Sequence, residues 1–219
     1  MEKWTNKLAV VTGASAGIGA AIVKDLANAG INVVGLARRT EKIEQLINDL
    51  GKTSGKVYAY KCDVSDQDSV KAAFAWIEEK FDCIHILINN AGTVRNVKIL
   101  DEGDEVARQL NEVINTNVNG LVQCTREAFR LMKKSGEHGF IININSILGH
   151  SIPFMEMSLN IYPSTKYAVT AVSEVLRQEL ISMKNNKIRV SVNIFKYIKK
   201  FHPQFLIICL LLEFEPRFS

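Results

Sequence analysis

Residues 8–19 read Leu8-Ala9-Val10-Val11-Thr12-Gly13-Ala14-Ser15-Ala16-Gly17-Ile18-Gly19. The first five form an apolar run that closes on a threonine. Such a run suits a parallel strand buried on both faces. Three glycines then punctuate the next seven positions. Over 17–29, Ile18, Ile22, Val23 and Leu26 recur at helical spacing, and Gly30 follows as a stop. A bare three-glycine pattern is weak, but strand, glycine turn and amphipathic helix in this order are the context the pattern requires. Gly13 allows a sharp turn, Gly17 a close approach of backbone to a pyrophosphate, and Gly19 tight packing of the helix. The helix N-terminus offers free N–H groups and partial positive charge to the phosphates. Gly13, Ser15, Ala16, Gly17, Ile18 and Gly19 are therefore candidate dinucleotide contacts. The turn lacks the Gly-Lys-Ser/Thr ending of a P-loop, which argues against a kinase or ATPase.

The alternation continues outward. Strands are predicted over 31–36, 56–61, 84–88, 140–144 and 188–192. Helices are predicted over 40–50, 66–80 and 162–183, with a long helical region over 105–134, in one piece or two. Thr40 is the expected N-cap of the second helix and Gly51 its stop. Six strands alternating with helices predict an α/β fold: a Rossmann-type, doubly wound parallel sheet of order 3-2-1-4-5-6 with helices on both faces. The chain has 219 residues and no linker or low-complexity segment, so one domain is expected over 1–193. The net charge of +4 is scattered along the chain and demands neither nucleic acid nor membrane. Four cysteines without a CxxC pair read as free thiols in a reducing compartment. No apolar signal-peptide core precedes the first strand, so a cytoplasmic location is expected. His85, His138 and His150 lack metal-ligand spacing and read as structural.

In such a sheet a ligand sits beyond the carboxyl ends of the strands, beside strand one. The end of strand two selects the cofactor. An acid there would hold the adenosine ribose of NAD, whereas this chain reads Ala37-Arg38-Arg39-Thr40. Arginine suits a ribose 2′-phosphate, so NADP is favoured. The alternative is two solvated arginines, although a helix N-terminus disfavours cations. Further on, Tyr162-Pro163-Ser164-Thr165-Lys166 opens the last long helix. Residues four apart share a face, so Lys166 is placed to lower the Tyr162 pKa and make its phenol an acid/base group. Pro163 is tolerated in the first turn.

Taken together these stretches resemble the short-chain dehydrogenase/reductase family, whose motifs stand here as 12–19, Asn89-Asn90-Ala91-Gly92, Asn117, Ser146, and Tyr162 with Lys166. The resemblance covers residues 5 to about 193. Within the family, 141–150 and 162–180 look like the farnesol dehydrogenase-like and ketosteroid reductase-like group. The resemblance implies an NADP-dependent oxidoreductase interconverting an alcohol and a carbonyl on a lipophilic small molecule, with no metal. Tyr162 would be the general acid/base. Lys166 would hold the nicotinamide ribose and lower the Tyr162 pKa, Ser146 would bond the substrate oxygen, and Asn117 would hold a water leading to solvent. Asn90 would contact the cofactor ribose and Asp63 the adenine, with Val64, Ala91 and Gly92 in the same cofactor-binding set. The family also implies a homodimer or homotetramer through 112–134 and 162–183, with Val172, Val175 and Leu176 in core or interface.

After Asn193 the expected Pro-Gly segment is replaced by Ile194-Phe195-Lys196-Tyr197, as though the reading frame or splice form diverged there. The expectation is a divergent tail over 194–219 with the substrate lid and last strand altered or missing. The apolar stretch 205–212 is too short to span a membrane and reads as a replacement edge strand or a sticky tail. The alternative reading of the whole is thus a dinucleotide-binding protein with impaired catalysis.

Overall fold

The computed structural model of the chain describes residues 2–154 and 158–195. The predicted alternation is present. Strands β1 (Leu8–Thr12), β2 (Asn32–Ala37), β3 (Val57–Lys61), β4 (Ile86–Asn89), β5 (Gly139–Ser146) and β6 (Ile188–Phe195) form one parallel sheet of order β3-β2-β1-β4-β5-β6. Helices α1 (Gly17–Asn28), α2 (Thr40–Leu50), α3 (Gln67–Phe81), α4 (Asp104–Ile114), α5 (Gly120–Ser135) and α6 (Tyr162–Ser182) connect them. This is the Rossmann-type doubly wound sheet expected from the sequence. Within β1 the pleat sends Leu8 and Val10 to one core, with Phe74 of α3, Leu131 of α5 and Leu180 of α6. Ala9 and Val11 go to the other, with Ile22 and Leu26 of α1 and Ile43 of α2. Burial on both faces is why β1 reads as a continuous apolar run rather than an alternating one.

Two local features differ from expectation, the cap of α2 and the length of β6, and one open point is settled. Arg39, not Thr40, occupies the cap position of α2 in a non-helical conformation, so Thr40 is already the first helical residue and no side chain caps the end. The long helical region is two helices joined by a π-turn (Asn115–Asn119), in which the Gly120 N–H bonds to the Asn115 carbonyl five residues back. Such turns concentrate at functional sites, and this one carries Asn117. β6 runs to Phe195, three residues past the predicted strand. The apolar stretch 205–212 lies outside the described residues.

A buried polar ladder ties the sheet to two helices. The Asn89 amide donates to the Thr125 hydroxyl at 2.8 Å and to Asn143 Oδ1 at 2.9 Å; Asn143 in turn donates to the Ser173 hydroxyl at 2.8 Å. Asn143 is fully buried, so cutting the ladder leaves donors and acceptors without water to replace them. Asn143→Ala is expected to destabilise the fold by roughly 1–3 kcal/mol, read as a lower urea midpoint at unchanged slope. An unchanged midpoint would show that the ladder contributes nothing.

Candidate active site

At the switch point the chain leaves β1 and β4 in opposite directions. The Thr12 hydroxyl accepts the backbone N–H groups of Asn90 and Ala91, each at 3.0 Å. The Asn90 amide donates back to the carbonyls of Thr12 and Gly13 at 2.9 and 3.3 Å. Gly13 and Gly17 both take left-handed φ angles, +66° and +56°. Their roles separate once neighbours are considered. A Cβ on Gly19 would stand 2.3 Å from the Gly13 carbonyl oxygen, so Gly19 lets α1 close against the turn itself rather than against the sheet. A Cβ on Gly17 would meet nothing within 4 Å, which leaves that side of the turn open to a ligand.

A cavity of about 340 Å³ lies over the turn. It is lined by Gly13, Ser15, Ala16, Ile18, Arg38, Arg39, Asp63, Val64, Asn90, Ala91 and Gly92. Gly17, Gly19, Tyr162 and Lys166, also expected at the cofactor, do not line it. Leu36, Ala37, Cys62, Thr93 and Thr116 also line it, and the motif reading passed over them. Each adjoins a motif or ends a strand, which is the signal that would have found them. Arg38 lies 4.0 Å from Asp63 and 3.9 Å from Glu112. Arg39 is exposed and makes no hydrogen bond or ion pair among the described residues. It stands at the α2 N-terminus, where a cation is unfavourable unless an anion joins it.

The second cluster lies at the ends of β5 and α6. Ser146 ends β5 and accepts the Leu148 N–H at 3.2 Å. Its side chain also stands close to the Tyr162 phenol. Burial raises the Tyr162 pKa above the ordinary tyrosine value, and the neighbouring Ser146 side chain opposes that rise. Here the structure departs from the expectation that Lys166 lowers it. The Lys166 ammonium sits 5.7 Å from the Tyr162 ring centroid and donates to the Ile144 carbonyl at 2.9 Å. Burial depresses its own pKa to about 8, so it gives up its proton at a lower pH than an ordinary lysine.

Asn117 is buried and held from three sides. It accepts the Thr93 N–H at 2.8 Å and donates to the Thr93 carbonyl and the Thr165 hydroxyl, both at 3.0 Å. Both amide hydrogens are thus committed to protein, and a water would have to bond a remaining oxygen lone pair. Thr165 places Asn117 one residue from Lys166 along α6. The structure therefore brings Ser146, Tyr162 and Lys166 together, with Asn117 joined to them through Thr165.

The histidine expectation can be checked at His85. Its Nδ1 accepts the Leu8 N–H at 3.2 Å and its Nε2 lies 2.9 Å from Glu137. Burial lowers its pKa, opposed by Glu137, and its contacts are structural. Cys62, Cys83 and Cys124 are free thiols, and burial pushes Cys62 up to about 11. Cys209 lies outside the described residues. Among the described residues no helix is long and apolar enough to cross a membrane.

Comparison with known proteins places this geometry. The short chain dehydrogenase family model matches residues 7–199. A farnesol dehydrogenase of Aedes aegypti is 48% identical over 82% of this chain and 73% of the relative. Dehydrogenase/reductase SDR family member 11 of Gallus gallus is 41% identical over 85% of this chain and 72% of that protein. Among solved structures, a metagenomic short-chain oxidoreductase in complex with NADP superposes with a TM-score of 0.80 at 26% identity, covering 95% of this chain and 90% of the other. The chain belongs to the short-chain dehydrogenase family and is an oxidoreductase of that kind.

The buried Lys166 ammonium has a measurable consequence. Its folded-state pKa is about 8 against an ordinary 10.5, so the folded protein sheds this proton first. Between these pH values the unfolded chain holds more protons, and this group makes stability rise with pH. Below about pH 8 the buried charge is a cost. Lys166→Met is therefore expected to unfold at higher urea than wild type at neutral pH, by about 1 kcal/mol. The advantage should shrink as pH rises toward 10.5. Urea melts across that range check it, and an advantage that grows with pH would contradict it.

Proposed function

We propose that the protein is an NADP-dependent oxidoreductase that interconverts an alcohol and a carbonyl on a lipophilic, farnesol-like or steroid-like small molecule. The observation that carries this reading is Ser146 at the carboxyl end of β5 standing beside Tyr162, with the Lys166 ammonium 5.7 Å from the Tyr162 ring centroid. The cofactor fits the residues present. The open side of Gly17, the α1 N-terminus and the 340 Å³ cavity accommodate a pyrophosphate and adenosine. Arg39, exposed and without an acidic partner among the described residues, supports a 2′-phosphate and hence NADP over NAD. Bound there, the nicotinamide supplies a hydride in reduction and takes one in oxidation.

The protein's own groups handle the oxygen. In reduction, the Ser146 and Tyr162 hydroxyls would donate hydrogen bonds to the carbonyl oxygen, and these strengthen as negative charge develops there. The raised Tyr162 pKa keeps the phenol protonated and ready to give its proton to that oxygen. Lys166, near its own pKa at working pH, is suited to return a proton toward the phenolate. In oxidation the same transfers run backward.

The lipophilic reading rests on exposed apolar residues near the strands' carboxyl ends. Val94, Ile99 and Leu100 after β4, Ile147, Ile152 and Phe154 after β5, and Ile194 at the end of β6 are all exposed apolar residues. The first six follow β4 or β5 in the chain and Ile194 is the penultimate residue of β6; a substrate approaches such a sheet from its carboxyl end. The name of the Aedes aegypti relative points the same way. On α6, Val175 is exposed while Val172 and Leu176 are half-buried, which supports a dimer through this helix.

The test is steady-state reduction of a series of linear aldehydes of increasing chain length, with NADPH and with NADH. Expected are a preference for NADPH and a kcat/KM that rises about fourfold per methylene buried. A flat series would overturn the lipophilic substrate, and equal use of NADH would overturn the role of Arg39.

A further inference from the structure

Tyr162 stands at the first residue of α6, where a helix tends to fray, yet its phenol must meet Ser146 on another element. The helix start is instead pinned from outside. Asn160 takes a left-handed φ of +43°, a conformation asparagine tolerates better than other side-chain-bearing residues. Its Oδ1 accepts the Tyr162 backbone N–H at 3.0 Å, and its amide nitrogen donates to the Arg95 carbonyl in the loop after β4. The Ser158 hydroxyl donates to the Val97 carbonyl of the same loop at 3.1 Å and accepts the Asn160 N–H at 3.3 Å. The loop is anchored in turn. Glu112 of α4 receives Arg95 through two nitrogens, with Nε at 3.0 Å. The Arg95 hydrogen bond, the largest influence, holds the Glu112 carboxyl below the usual range despite some burial. Glu112 also lies 3.9 Å from Arg38 at the cofactor cavity.

We propose that Asn160 is a positioning residue that sets the Tyr162 phenol against Ser146 by latching the start of α6 to the loop after β4, with the Arg95–Glu112 pair as the anchor of the latch. This rests on the reading of Tyr162 as the acid/base group. The two halves of the Asn160 amide do separate jobs. Its oxygen shares the Tyr162 N–H, the first of the helix, with the Leu159 carbonyl at 3.0 Å, and its nitrogen makes the latch. An aspartate in its place would keep the cap, since a carboxylate oxygen accepts a helix N–H as well as an amide oxygen does. It would lose the donor to Arg95 and set a carboxylate against a carbonyl oxygen. The variant Asn160→Asp therefore separates helix capping from latching.

The test compares wild type, Asn160→Asp, Asn160→Ala and Glu112→Gln in NADPH-dependent reduction of farnesal, with kcat followed across pH and NADPH binding measured by fluorescence titration. Misplacement of a catalytic group at this scale lowers kcat by about tenfold to a hundredfold. The expected result is such a loss in both Asn160 variants, a smaller loss in Glu112→Gln, and NADPH binding retained in the Asn160 pair. The basic limb of the kcat profile should also move, because the phenol no longer stands in its place beside Ser146. If Asn160→Asp keeps wild-type kcat and the wild-type limb, the latch is overturned and Asn160 is a helix cap. Glu112→Gln reports on the same latch from the far side should an Asn160 variant fail to fold; wild-type kcat there would overturn the anchor. Tyr162→Phe, run alongside, distinguishes the two readings: full activity in that variant removes the acid/base role itself, whatever Asn160 does.

Discussion

The site depends on the opening between β1 and β4 being held at a fixed width. Thr12 and Asn90 hold it: the Asn90 and Ala91 N–H groups donate to the Thr12 hydroxyl, and the Asn90 amide donates to the Thr12 carbonyl. Because these bonds satisfy backbone groups that a sheet would normally pair, the two strands can part without leaving buried amides unsatisfied. Everything on the carboxyl side follows from that parting. The glycine turn swings one way into α1 and the loop after β4 swings the other. The cavity lies between them. Gly19 is the tightest point of the arrangement, since α1 could not close against the Gly13 carbonyl with any side chain there.

The chemistry is placed on the neighbouring strand by a different device. Asn89 and Asn143 carry a buried polar ladder from α5 to α6 across β4 and β5. The ladder fixes α6 relative to the sheet along its length, while the Asn160 latch addresses its first turn. Lys166 lies between the two and is buried with a carbonyl for its partner rather than a carboxylate. An ammonium in that setting costs stability.

Much of this was legible in the sequence. The apolar run 8–12, the three glycines and the helical spacing after them fixed the direction of reading. The remaining strands then followed from alternation, since a parallel sheet permits few orders. The π-turn at Asn115–Asn119 was not legible, because four of its five residues are polar and leave too little apolar pattern to show a change of phase. Nor was the electrostatics of the Tyr162–Lys166 pair. Spacing puts the two on one face, but burial, which spacing does not report, moved both pKa values away from the expected direction of help. Arg95, Glu112 and Asn160 were missed for the same reason. They lie 17 and 65 residues apart in pairs, and only the folded chain joins them. Asn160 alone left a local trace, as an asparagine two residues before a helix start.

The central claim is that the Tyr162 phenol delivers the proton in carbonyl reduction. Single-turnover oxidation of bound NADPH by farnesal, in wild type and in Tyr162→Phe, tests it most directly, because it isolates the chemical step from release of product. A fall of at least about a hundredfold in that rate, with NADPH binding retained, is the predicted result. An equal rate in the two proteins would contradict the account.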